Sequence, residues 1–215
     1  MKISVKNISL SLSDKKIFDS LSYNFEPGSF YVIKGESGCG KTTLLKCVST
    51  LLEVEEGTIE YSLDLPITEL RRKIQYLPQL PVIFPGTVKE NLLMPFSFKP
   101  YSLEAPSEDE LKKQMDALFS EKIDLEKDAS KLSQGEKQRL ALCRALMIKP
   151  DVLLCDEPTA SLDSKSRKVV EEKIENFAKS GSKIVIFISH HEELLIKSEI
   201  TELLVENGKI QEVKV

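Results

Sequence analysis

Residues 29–52, SFYVIKGESGCGKTTLLKCVSTLL, restrict the fold more than any other stretch. An apolar run of strand-forming residues ends at Gly35, a glycine-rich turn follows, and an apolar-periodic segment opens on Lys41. The turn reads Gly35-x4-Gly40-Lys41-Thr42, a spacing that carries meaning only between a strand and a helix. Its glycines let the backbone curl so that successive N–H groups surround a phosphate, and the helix start adds the positive end of its dipole. Glu36, Ser37, Gly38, Cys39 and Thr43 complete the loop; Lys41 is placed to reach β- and γ-phosphate oxygens and Thr42 to hold Mg²⁺.

The remaining pattern supplies the layers such a turn needs. Strand-like alternation fills the first ~30 residues. A helix is expected from Lys41 to Leu52, a turn and short strand in EVEEGTIEY, a brief helix in PITELRRK, and in IQYLPQLPVIFPG a strand that breaks into proline-punctuated loop. From residue 80 to 150 the pattern turns helical: TVKENLLMPF, then SEDELKKQMDALFSE with Ser107 as N-cap, then a helix behind Ser133 that is nearly all apolar past Arg139 and so expected to be buried. Strands return with DVLLCDE, a helix from Ser164 to Lys179, KIVIFISHH, a short helix, and ITELLVENGKIQEV turning at Asn207-Gly208. The expectation is one α/β domain over 1–215, with a core lobe over 1–79 and 151–215 and a helical lobe over 80–150. Apolar strands alternating with helices imply a parallel sheet covered on both faces.

Composition narrows the partners. A chain of 215 residues that is 41% hydrophobic and 30% charged can build one sizeable core. Its formal charge of -4 and scattered basic doublets give no footprint for nucleic acid, which is excluded as a partner. No run approaches the roughly 18 apolar residues of a membrane span, and MKISVKNISL alternates rather than following a signal-peptide plan, so a cytoplasmic protein is expected. Cys39, Cys47, Cys143 and Cys155 form no CxxC pair and read as reduced thiols in packed positions.

Two further stretches carry chemistry. VLLCDEP puts Asp156 and Glu157 at the carboxyl end of a buried parallel strand, the edge where α/β sheets bind ligands. A strand-end acid is commonly just solvated; beside a phosphate loop, Asp156 reads as a Mg²⁺ partner and Glu157 as acceptor of a proton from attacking water. His190 and His191 follow KIVIFIS at another strand end. Alone they would pass as a solvated loop start, but near Glu157 one imidazole suits contact with the γ-phosphate or orientation of the water. Ser133 with Glu136 forms a capping box whose bare content is a helix start.

Gly35 to Thr42, YLPQ ending at Gln79, LSQGE from Leu132 to Glu136, CDEP, ASLD ending at Asp163 and ISHH stand in the order and rough spacing of the ATP-binding cassette (ABC) ATPases, which the chain resembles along essentially its whole length. The resemblance implies a P-loop NTPase fold with a RecA-like core, an antiparallel β subdomain and a helical signature subdomain. It implies ATP and Mg²⁺, and a homodimer that holds two ATP head to tail. Ser133, Gln134 and Gly135 would then meet the γ-phosphate on the partner's loop, Gln79 would sense γ-phosphate and Mg²⁺, Asp163 would bridge to the opposite copy, and His190 matches the switch histidine. Gln134 stands where glycine is commoner, Glu136 where glutamine is commoner, and no aromatic residue stands near Leu12, where one usually stacks on adenine, so adenine recognition is expected to rely on apolar contact.

LPVIFPG offers Leu80, Val82, Ile83 and Phe84 in a proline-stiffened loop, which either packs between lobes or forms a groove for a short helix of a separate membrane permease. That reading makes the protein peripheral on the cytoplasmic face of the membrane. On this reading neither the C-terminal regulatory domain of many importers nor the element that precedes the signature in fused exporters is expected. Its motif combination looks most like the small ATPases of the iron-export (FetA-type) group. The alternatives are a soluble ATPase of an assembly pathway such as iron–sulfur cluster building, and a DNA-associated ABC protein, which would need coiled-coil or zinc insertions and a basic face.

Overall fold

Three runs without a polar face, FYVIK, VLLCD and IVIFI, become the strands β3 (Phe30–Lys34), β6 (Val152–Asp156) and β7 (Ile184–Ile188), buried along nearly their whole length. A strand with no solvated face must be covered on both sides. The computed structural model, which describes residues 1–98, 105–119, 122–160, 162–189, 194 and 196–213, shows how. With β5 (Ile74–Leu77), β8 (Thr201–Glu206) and β9 (Lys209–Glu212) these strands form a six-stranded sheet in the order β5-β6-β7-β3-β8-β9. All neighbours are parallel except the last pair, a hairpin turning at Asn207 and Gly208 with φ of 50° and 72°. A second sheet is antiparallel: β1 (Ile3–Leu12) lies between β2 (Lys15–Phe25) and β4 (Glu56–Tyr61). Ser13 and Asp14, both at positive φ, make the two-residue turn from β1 to β2.

Side chains alternate across a strand, so the parallel sheet has two distinct faces. Phe30, Val32, Leu153, Cys155, Val185 and Phe187 point one way and pack with the helices α3 (Val88–Leu93), α4 (Glu108–Asp116), α5 (Gln134–Met147) and α6 (Ser164–Lys179) through Leu92, Leu111, Leu140 and Ile174. Tyr31, Ile33, Leu154, Ile184 and Ile186 point the other way, onto α1 (Lys41–Val48) and the antiparallel sheet through Leu44, Leu45, Val5 and Phe18. Each fully buried Leu, Ile or Phe contributes about 1.5–3 kcal/mol through removal from water. A last helix, α2 (Ile67–Lys73), runs directly into β5.

Helix starts follow their sequence signals. Thr87, Ser107 and Ser133 each accept from the backbone N–H three residues on, while Glu90, Glu110 and Glu136 reach back to the cap backbone. The end of α1 differs from the expected Leu52. Thr50 adopts φ 62°, the Leu51 N–H donates back to Lys46 O at 2.9 Å, and the helix closes after Val48 although Leu51 and Leu52 continue the apolar pattern. The short helix expected after the histidine pair falls largely outside the described residues. Cys47, Cys143 and Cys155 are buried free thiols, while Cys39 is only half-buried in the glycine loop. Burial pushes the Cys47 thiol up to about 11 and the Cys143 thiol up to about 12. Among the described residues no helix is long and apolar enough to cross a membrane.

Candidate phosphate site

The loop from Gly35 to Gly40 joins β3 to α1 and can be made only by glycine at its two ends. Gly35 has φ 142°, and a Cβ there would lie 2.4 Å from Val205 O; Gly40 has φ 109°, and a Cβ would lie 2.7 Å from Ile17 Cγ2. The loop encloses Lys41, which is 6% exposed and donates from Nζ to Gly35 O at 2.7 Å and Glu36 O at 2.8 Å. A buried ammonium thus holds two loop carbonyls at the place where phosphate oxygens could replace them.

Sheet order brings the acids to this loop. Asp156, at the carboxyl end of β6, is 4% exposed and accepts from Thr42 Oγ1 at 2.9 Å through Oδ1 and from Tyr76 Oη at 2.8 Å through Oδ2. Burial first, and then the bond to Asp156 and its charge, push the Tyr76 phenol well above the ordinary tyrosine value. Glu157 follows at φ 50°, a left-handed conformation that costs a non-glycine residue about 1–3 kcal/mol and recurs at functional sites. Gln79, just past β5, donates from Nε2 to Glu157 Oε2 at 2.9 Å. These two residues, the loop and Ile17 line an open cleft of about 510 Å³, within the ordinary range for ligand sites. A smaller cleft of about 380 Å³ is lined by Lys15, Lys16, Ile17 and the β8–β9 hairpin among others.

The hydroxyl of Thr42, the Asp156 carboxylate and the Gln79 amide oxygen are hard donors of the kind Mg²⁺ takes, and Thr42 and Asp156 already converge. They are too few for a protein-only cage, so the ion would need phosphate or water oxygens as well. No group of three or more His, Cys, Asp or Glu side chains suited to a metal occurs among the described residues.

The other predicted residues lie elsewhere. Ser133 and Gln134, at the start of α5, are exposed, and Gly135 is half-buried against Leu162. Ser133 N donates to Glu136 Oε2 at 2.7 Å. Burial works to raise the Glu136 carboxyl, but the bonds from Ser133, with Lys127 and Arg139 nearby, pull it below its ordinary value. Asp163 caps α6, accepting from Lys165 N and Ser166 N at 3.0 Å each. Its carboxyl is lowered by the Ser166 hydroxyl and by these backbone bonds. The predicted residues therefore form two groups: Gly35–Thr43 with Gln79, Asp156 and Glu157 in one, the α5 and α6 starts in the other. His190 and His191 lie outside the described residues.

Sequence reasoning missed Tyr76, which sits inside YLPQ but shows its role only once β5 lies beside β6. Leu12 is not among the residues lining either cleft, whereas Ile17 lines both.

Against known proteins, the family model described as ABC transporter matches residues 18–160. The "Probable iron export ATP-binding protein FetA" of Escherichia coli (strain K12) is 30% identical over 99% of this chain and 95% of its own length. The "Spermidine/putrescine import ATP-binding protein PotA" of Thermotoga maritima is 33% identical over 99% of this chain, which spans 58% of that protein. The "Fe(3+) ions import ATP-binding protein FbpC" of Fusobacterium nucleatum is also 33% identical, and the chain spans 57% of its length. Among solved structures, "Structure of a bacterial Atm1-family ABC exporter with ATP bound" superposes with a TM-score of 0.81 at 25% identity, covering 97% of this chain and 37% of the exporter.

Proposed function

The chain belongs to the ABC transporter family, and on that premise we propose that two copies close head to tail around two ATP molecules, hydrolyse them and drive a separate membrane permease. The protein is an ATPase of the P-loop α/β class. The observation that carries its catalytic assignment is the convergence of Thr42, Asp156, Gln79 and Glu157 on the loop that buries Lys41.

Each residue has a task in that cycle. Backbone N–H groups of Glu36 to Thr43 cradle the β-phosphate, and Lys41 exchanges its bonds to Gly35 O and Glu36 O for phosphate oxygens. Thr42, Asp156 and Gln79 would hold Mg²⁺, which would supply charge neutralisation to the phosphates. Glu157 takes the proton of the attacking water, and Gln79 holds that carboxylate oriented. His190 is assigned to the γ-phosphate by its place in the motif order.

Ser133, Gln134 and Gly135 act in trans. Within one chain they stand apart from the residues of the phosphate cleft, yet they form an exposed helix start whose N–H groups suit an anion. Asp163, the cap of α6, would meet the same partner.

The permease would dock at Leu80, Pro81, Ile83 and Phe84, which share an open cleft with Gln134 and Lys137. Leu80 is 73% exposed and Val82 52%, while Ile83 packs against the core and anchors the loop. The protein then works at the cytoplasmic face of the membrane. Iron export is supported by the nearly full-length match to FetA; the names of the matched relatives, import and export alike, give no support to the assembly-pathway alternative.

Glu157→Gln tests the cycle. With ATP and Mg²⁺ the variant is expected to bind without turnover and to double its mass by light scattering. An ATP-loaded variant that stays monomeric removes the two-site sandwich.

A further inference from the structure

Arg144 has a distinctive set of partners. On the fourth turn of α5, its guanidinium is half-buried and pairs with no carboxylate among the described residues. It donates from Nη2 to Val82 O at 2.6 Å and from Nη1 to Asn91 Oδ1 at 3.3 Å, and it lies over the Phe84 ring with Cζ 4.9 Å from the centroid. Asn91, fully buried on α3, holds the same loop: Oδ1 accepts from Phe84 N at 2.9 Å, and Nδ2 donates to Phe84 O at 2.9 Å and Thr87 O at 3.0 Å.

Three backbone groups of the groove loop, Val82 O and both polar groups of Phe84, are thus bonded to two side chains. Filling that space needs no charge, and withdrawing a cation from water without an anion opposes burial. What a guanidinium adds is a flat, rigid fork that fixes two acceptors in one geometry while stacking on a ring. The arrangement therefore sets position more than it fills volume.

What it positions the loop against is α5. Eleven residues separate Ser133 from Arg144, about 16 Å along a rigid helix axis at 1.5 Å per residue. Midway, Arg139 Nη1 donates to Ser166 Oγ at 2.6 Å, three residues after Asp163. One helix is tied at its far end to the groove loop and near its middle to the base of α6.

We propose that Arg144 and Asn91 are positioning residues that lock the Val82–Phe84 segment to α5, so that movement of the docking groove and engagement of Ser133 on a second copy's nucleotide are one motion. This rests on the trans-acting and docking roles given above. Coupling between two sites is reciprocal, so nucleotide closure must change the groove loop even with no permease present.

Hydrogen exchange of full-length Glu157→Gln protein, with and without ATP and Mg²⁺, reads both ends at once. ATP is expected to slow exchange in 133–139 and, by at least about fivefold, in 82–91. Adding Arg144→Met keeps the first response and abolishes the second; Asn91→Leu gives the same pattern, and Arg144→Lys, which keeps the charge without the fork, retains less than half of it. Responses are taken as ratios with and without ATP, so a loop loosened at rest does not imitate the result. If Arg144→Met fails to fold by circular dichroism, Arg144→Lys decides. A full 82–91 response in the folded Arg144 variants overturns the proposal, as does an 82–91 segment that ignores ATP while 133–139 responds. If neither segment responds in the parent, the sandwich itself fails and the relay falls with it.

Discussion

Removing one hydroxyl tests how the acid at the phosphate loop is held. Tyr76→Phe deletes the 2.8 Å bond to Asp156 Oδ2 and leaves the ring in place. A hydrogen bond to a charged group is worth about 1.5–3 kcal/mol, and Asp156, 4% exposed, has little access to water as a substitute, so a loss of about 2 kcal/mol is expected at neutral pH. For a chain of this length, about 2–4 °C per kcal/mol puts the fall in Tm near ~4–8 °C. The effect has a pH signature. Burial and the Asp156 bond raise the phenol pKa in the folded chain above its ordinary value of 10.0, so the folded state holds that proton more tightly than the unfolded state does. Stability from this source is fully present below pH 10 and falls as pH rises above it, since only the unfolded chain then releases the proton freely. The gap between wild type and Tyr76→Phe should therefore be widest at pH 7–8 and narrow above pH 10. Tyr23 and Tyr61 are shifted the same way but remain in both proteins, so the difference isolates Tyr76. Thermal unfolding followed by circular dichroism across this range is the assay. Melting within 1 °C of wild type at pH 7.5, or a gap that does not change with pH, would refute the reasoning.

Three other perturbations probe the loop and the trans contact. Lys41→Ala should reduce ATP hydrolysis by at least about 100-fold, because the buried ammonium has no substitute in the curl; wild-type turnover in a phosphate-release assay would contradict the assignment. Gly35→Ala forces a Cβ against Val205 O at a φ of 142°, and a drop in Tm together with lost nucleotide binding by calorimetry is expected, against an unchanged melt if the loop tolerates it. Ser133→Arg should abolish turnover yet leave the nucleotide affinity of the dilute monomer nearly intact; a large loss of monomer affinity by fluorescence titration would place Ser133 on its own chain's nucleotide instead.

The sequence made the phosphate loop readable because all of its parts are consecutive: an apolar strand, glycines, then a helix opening on Lys41. Helix α6, expected from Ser164 to about Lys179, spans Ser164–Lys179, and Asp163 caps its start. Convergence of Thr42 and Asp156 was inferred from chemistry but not from geometry, because β7 lies between β3 and β6 and only the finished sheet brings the two side chains to 2.9 Å. Tyr76, Asn91 and Arg144 were illegible for a related reason. An amide inside TVKENLL and an arginine inside LCRALM look like solvent-facing positions until α3 and α5 pack together, and their bonds go to backbone atoms, which no residue pattern specifies. The end of α1 was misjudged because a single left-handed residue, Thr50, overrides an apolar rhythm that continues past it.

The alternation of β3, β6 and β7 between two cores makes adjacent residues mechanical strangers. Leu153 and Leu154 share a peptide bond, yet a void under Leu153 would loosen the packing beneath the signature helix, while a void under Leu154 would loosen the floor beneath the glycine loop. Either Leu→Ala change is expected to cost about 2–5 kcal/mol, but the two deficits would surface in different halves of the catalytic cycle. Damage in this fold is addressed by the parity of the position along the strand.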